Sequence, residues 1–234
     1  MQSSNVMWLE QATVVVEPVV EVSTGQVLAY QARPASRARP TAQPQDLVLT
    51  AMSAGRLRTL IAILRLQVAA VARRLRPGQH VLMPLCDVEL GDPALTDRRG
   101  PLHRARERVA LEVSAATMAP DLLTCLSWLT ELEQTGFTLA LSHHDGSSAA
   151  QLLVRELMPQ MVLLAPWFAR CVATDAAARR SLAATLDQLA EVGSRVIATG
   201  VGDPTARDAL AELGCDLMTG PLFATPMPAA AWVG

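Results

Sequence analysis

"VGSRVIATGVGDPTARDALAELGCDLMTGPLFATPMP", residues 192–228, decides the fold. Its "RVIATGV" is a short apolar run with β-branched residues, which reads as a strand. Asp203 followed by Pro204 is a helix start. The carboxylate can accept from the first free backbone N–H groups, and proline suits the first helical position because its missing N–H would have had no helical partner there. "DPTARDALAELG" is then a helix with a glycine stop, and "DLMTGPLF" a last strand. Strand, helix, strand at this spacing forms a βαβ unit, whose strands lie parallel in one sheet.

The same alternation recurs toward the N-terminus. "HVLMPL", "VALEV", "FTLALS" and "MVLLA" read as strands; "DLLTCLSWLTELEQTG", "AAQLLVREL" and "ARRSLAATLDQLAEVG" read as helices. The strands are almost continuously apolar, which suits burial on both faces. "TVVVEPVVEV", a "STGQ" turn and "VLAYQA" form an opening hairpin. "RPASRARPTAQPQ" (33–45) reads as a loop, and Asp46 to Arg76 as one long helix or two consecutive ones. Roughly seven units plus a hairpin approach what a (β/α)8 barrel needs in about 250 residues. Even spacing, and no glycine-rich phosphate loop after the first strand, favour the barrel over an open doubly wound sheet. The expectation is an α/β fold: a modified (β/α)8 barrel with an antiparallel opening hairpin, one domain over residues 13–234 behind a tail of residues 1–12.

Half of the 234 residues are hydrophobic and 18% are charged, enough apolar material for a large core. A net charge of -2 argues against broad attraction to nucleic acid or anionic membrane. No apolar run nears the length of a transmembrane helix, and "MQSSNVMWLE" lacks the regions of a signal peptide, so a cytoplasmic protein is expected. Cys86, Cys125, Cys171 and Cys215 stand far apart without a CxxC pair and read as ordinary thiols. All 20 basic residues are arginine, so a mechanism in which a lysine gains or loses a proton is closed to this chain.

"VVVEPVVEVSTGQVLAYQA", "ALEVSAAT", "LEQTGFTLALSHHDG" and the closing stretch resemble the EAL domain, a modified (β/α)8 barrel of bacterial cyclic-di-GMP phosphodiesterases. The resemblance runs from about Thr13 to Pro228. In active members it implies acidic residues and an asparagine at the C-terminal ends of the strands. These hold divalent cations that polarise a phosphodiester and activate a water, and a lysine and further acids complete the site. In this chain the glutamate that names the family falls on Gln31, the asparagine on Pro84, and the paired aspartates on Ser142 and His143. The lysine falls on Leu163, its aspartate on Ala165, a later glutamate on Thr199 and a glutamine on Thr219. Glu112 alone is kept. The resemblance therefore implies a degenerate site, with no catalytic residues, no bound metal and no cofactor.

"SHHDG" invites a different reading, because His and Asp are common metal ligands. A transition metal on His143, Glu112 and Asp145 is one possibility; polar groups on a loop leaving a strand is the plainer one. Successive strand residues face opposite ways, so His143 and His144 should not both reach one ion. Glu112 could be a relic, a general base or a buried acid paired with an arginine. Arg33 and Arg37 are candidates for holding a dinucleotide, although the position that carries the family's arginine is Ala35. The arginine-rich "DRRGPLHRARER" (97–108) reads either as a phosphate or acidic-partner patch or as a solvated connection.

Taken together, these features point to an inactive EAL-like domain in bacterial signalling that works by binding protein, without cyclic-di-GMP hydrolysis. The low share of charged residues suits a self-association or partner face. The resemblance implies a homodimer, or a partner among regulators of motility or surface attachment. Competing readings are a receptor that binds cyclic-di-GMP without cutting it, and an enzyme rebuilt around His143, Asp145 and Glu112.

Overall fold

The computed structural model describes residues 9–114 and 122–229. Strands β1 (Ala12–Glu21) and β2 (Val27–Ser36) form the antiparallel hairpin, with Glu17 opposite Gln31. Strands β3 (His80–Pro84), β4 (Val109–Ser114), β5 (Thr138–His144), β6 (Met161–Leu164), β7 (Arg195–Ala198) and β8 (Leu217–Met218) then follow in parallel, each beside the last. β8 pairs back onto β1, which closes an eight-stranded barrel with β1 running against the others. A short β9 (Met227–Pro228) adds to β1 at Val15 and Val16.

The helices wrap this barrel: α1 (Pro44–Ser53), α2 (Leu57–Ala72), α3 (Pro93–Thr96), α4 (Leu122–Gln134), α5 (Ser148–Leu157), α6 (Pro166–Cys171), α7 (Ala176–Val192) and α8 (Pro204–Glu212). Their ends follow the sequence signals. Asp203 accepts from Ala206 N at 2.9 Å, and Asp175 accepts from Ala177 N at 2.7 Å. Gly193 ends α7 in the left-handed region, with φ 75°. No helix among the described residues is long and apolar enough to cross a membrane.

Strand alternation divides the core in two. Residues such as Val14, Val81, Leu111 and Val162 face the helices, while Val19, Ala29, Leu82, Ala110, Ala140 and Leu163 fill the barrel. Each barrel-filling residue is packed without solvent contact or nearly so.

Several local expectations are corrected. Residues 33–36 are strand rather than loop, because they pair with Ala12–Val15. Pro34 is tolerated there: Val14, opposite it, sends its N–H to Gln67 and its carbonyl to Ala229, so this pair exchanges no ladder bonds and proline forfeits none. Residues 46–76 hold two consecutive helices, as one of the two readings had it, but the second ends at Ala72, short of Arg76. The last barrel strand is only two residues long, because the chain turns at Gly220 (φ 147°). A Cβ at Gly220 would stand 2.4 Å from Val201 N, so only glycine permits this approach. The sequence reading also missed α6.

Candidate functional site

Two residues beyond the apolar layer, toward the C-terminal ends of the parallel strands, lie Gln31, Pro84, Glu112, Ser142, Ala165, Thr199 and Thr219. Period-two alternation places them inward, above Ala29, Leu82, Ala110, Ala140, Leu163, Ile197 and Leu217. On β1, which runs the other way, the same step leads from Val19 to Glu17. Leu163, where the resemblance set the family's lysine, belongs to the apolar layer below and is 1% exposed.

A relay of polar contacts crosses this mouth. Arg33 Nε lies 3.8 Å from Glu17, and Arg33 also donates to Gln31 Oε1 at 2.8 Å. Gln31 Nε2 in turn donates to Glu112 Oε2 at 3.0 Å. Glu112 is thus a buried acid held by an amide, not by an arginine as one of the sequence readings had it. Burial pushes the Glu17 carboxyl above its ordinary value, an effect that Arg33 partly offsets. The sequence reading did not single out Glu17, which its inward parity with Val19 could have flagged.

Of the remaining polar groups of the layer, Ser142 and Thr199 turn to the backbone, whereas Thr219 Oγ1 is buried without a hydrogen-bond partner among the described residues. Ser142 Oγ donates to Val113 O at 3.3 Å, and Thr199 Oγ1 to Leu164 O at 2.8 Å. The β5–β6 register shifts between Leu141 and His144, and His143 takes φ 58° there. This irregularity leaves His143 exposed at the mouth, with Nδ1 3.2 Å from Ser142 Oγ, while His144 is buried. The two histidines therefore part company, as alternation requires. His144 Nδ1 accepts from Gly146 N at 3.3 Å, and burial lowers its pKa.

Asp145 accepts from Ser147 N at 2.9 Å at the start of α5; the Ser147 hydroxyl first, and this N–H after it, hold its carboxyl below the ordinary value. Among the described residues no three His, Cys, Asp or Glu side chains form a group that could hold a metal ion, so Glu112, His143 and Asp145 are not brought together as ligands. The donor chemistry points the same way. Hard divalent cations need several oxygen ligands, usually with carboxylates among them. In this layer Glu112 is engaged by an N–H donor and Glu17 faces a guanidinium, so the residues present do not fit a two-cation centre.

A cavity of about 180 Å³ opens beside the mouth, between β2, β3, α1 and α2. Gln31, Arg33, Pro84, Glu112 and His143 contribute to its wall. Arg65 on α2 borders it too, bound to Glu89 at 2.8 Å and to Asp92 at 2.8 Å. Of the two arginines considered for a dinucleotide, Arg33 stands at this mouth, whereas Arg37 borders a separate cleft with Gln67 and Arg74. The 97–108 connection is less solvated than expected. His103 is buried and packs edge-on to Phe137 at 6.0 Å, and Arg108 donates to Leu75 O at 2.8 Å. Arg98, Arg99 and Arg104 remain exposed.

A family model described as EAL domain matches residues 9–226. No curated protein matches the sequence. The PaMucR phosphodiesterase, in complex with c-di-GMP, superposes with TM-score 0.81 at 19% identity, covering 94% of each chain. BlrP1 of Klebsiella pneumoniae, in a complex with calcium and cy-diGMP, gives 0.82 at 19% identity; the match covers 94% of this chain but 56% of that one. The EAL domain of DcpA from Mycobacterium smegmatis gives 0.73 at 19% identity, over 93% of this chain and 92% of that one. At such identities the likeness speaks for the fold.

Proposed function

The chain belongs to the EAL domain family, and from that membership we propose that it is a cytoplasmic member without phosphodiesterase activity, serving bacterial signalling through protein–protein contact. The observation that carries this reading is the Gln31–Glu112 hydrogen bond. Two-metal hydrolysis needs carboxylates converging on cations. Here an amide occupies one such position and uses its N–H to satisfy the remaining acid. A barrel kept while its chemical layer is satisfied internally retains its shape as the usable property. The face beside the altered β5–α5 segment carries an exposed leucine, Leu152, and α4 begins with the exposed Leu123.

The test is turnover of cyclic-di-GMP by the purified chain with magnesium or manganese. Product formation should equal that of a Glu112→Ala control, and Gln31→Glu alone should restore none. Metal-dependent turnover above the control overturns the reading. On the interface side, sedimentation should show a dimer that Leu152→Glu weakens without unfolding the barrel; a monomer at all concentrations, with no stoichiometric partner, counts against it.

A second reading, a receptor that binds cyclic-di-GMP without cutting it, is favoured by Arg33, whose guanidinium stands at the mouth where a phosphate could meet it. Calorimetric titration with the dinucleotide separates the two: micromolar or tighter binding, lost in Arg33→Ala, promotes the receptor.

A further inference from the structure

We propose that the cavity beside the barrel mouth is a binding site for a small apolar amine, with its ammonium on Glu112 and its hydrocarbon body under α1 and α2. The walls are hydrocarbon, supplied by Val14, Val48, Ile61, Leu64, Val68 and Met83. The volume of about 180 Å³ matches a ring with a short arm, since an apolar cavity of ~150 Å³ takes up benzene. A few polar groups at one end of an apolar pocket fix a ligand's orientation.

The charge balance selects the ligand's sign. Among the described side chains, the acidic and basic groups on the wall and those they touch are Glu17, Glu89, Asp92 and Glu112 against Arg33, Arg65 and the imidazole of His143. That is four carboxyl groups to two guanidiniums. Arg65 is consumed by Glu89 and Asp92, and Arg33 leans on Glu17 and Gln31. Glu112 is left with a neutral amide donor while 5% exposed. A buried carboxylate gains most from a cation brought to it. A hard metal ion would need further oxygens that this wall lacks, whereas an ammonium makes a charge-assisted bond to one carboxylate and its body gains the apolar wall. An anionic ligand of the same shape would add a fifth negative group.

The inference rests on the reading that no cation pair occupies the mouth, so the test separates the two. The whole chain is titrated calorimetrically with phenethylamine, phenethyl alcohol and hydrocinnamate, each with and without manganese. Phenethylamine should bind once per chain, roughly tenfold or more tighter than the alcohol, as expected for a charge-assisted hydrogen bond. Hydrocinnamate should not bind. Glu112→Gln keeps an oxygen for Gln31 Nε2 and should bring the amine to the level of the alcohol. Val48→Phe fills the cavity from the half-buried face of α1 and should abolish both. Failure of the amine to bind, equal binding of all three ligands, or full amine binding by Glu112→Gln overturns the proposal. Manganese that displaces a bound amine supports the cavity ligand but unseats the metal-free reading of the function. Amine failure with manganese inert overturns the ligand alone.

Discussion

The two inner layers of the barrel lie two residues apart along each strand, yet they solve different problems. The lower one, with Ala29, Leu82, Ala140 and Leu163, is hydrocarbon throughout and held by packing. The upper one, with Glu17, Gln31, Glu112, Ser142 and Thr199, is polar, and its groups are largely satisfied by one another or by strand carbonyls. A reactive centre keeps donors and acceptors free for a substrate. Here Gln31, Glu112, Ser142 and Thr199 are engaged by one another or by strand carbonyls, so these groups contribute stability by the same logic as the lower layer, with hydrogen bonds in place of contacts.

That contrast can be broken by substitution. Leu82→Ala in the lower layer should cost the most, about 2–5 kcal/mol in denaturant unfolding, because a cavity remains where the barrel cannot collapse. Gln31→Leu in the upper layer strands the Glu112 carboxyl and should cost about 1–3 kcal/mol. The double variant Gln31→Leu with Glu112→Leu should recover much of that loss, since neither polar partner is then left behind. A double variant worse than the sum of the singles would show that the layer serves more than its own satisfaction.

A smaller, pH-dependent effect should appear just outside the layer. Burial holds His144 below its ordinary value of 6.5. The unfolded chain therefore takes up a proton that the folded chain resists, and stability present above that pH is lost as the pH falls toward the folded value. Glu17 and Glu89 are both raised from 4.5 by burial, and their contribution runs the opposite way, favouring the fold as pH falls toward that value. His80, also lowered, adds to the His144 effect. The measurement is accordingly a difference: the drop in stability below neutral pH should shrink in His144→Leu relative to the parent. An unchanged pH profile would remove His144 as its source.

The legible parts were those whose signals are local. Asp203-Pro204 and Gly193 mark helix ends by the chemistry of their own backbone neighbours, and the apolar runs declare strands buried on both sides. The inward parity of Gln31, Glu112, Ser142 and Thr199 was legible because strand alternation fixes it from the apolar residues two places earlier. What stayed hidden depends on distant partners. Residues 33–36 become strand only because Ala12–Val15 lie alongside. Glu17 joins the mouth only through its register with Gln31. Arg108 looks like surface charge until α2 presents Ala72 and Leu75 carbonyls to it. The six residues of α6 are too few to show a period.

Pro34 has a consequence for life in a crowded solution. β2 pairs with β3 only from Ala29 to Gln31, so among the described residues no strand lies against the far side of Arg33–Ser36. An open run of backbone is an invitation for another chain to add a strand, the first step toward fibres or misassembly. Val14 opposite Pro34 directs its own ladder groups away from β2, so the missing amide of Pro34 falls on this strand-free side, where Pro34 is buried beside α1. An intruding strand would have to displace α1 and would then meet a gap in the hydrogen-bond row, so helix and proline together keep this stretch of β2 from templating its neighbours.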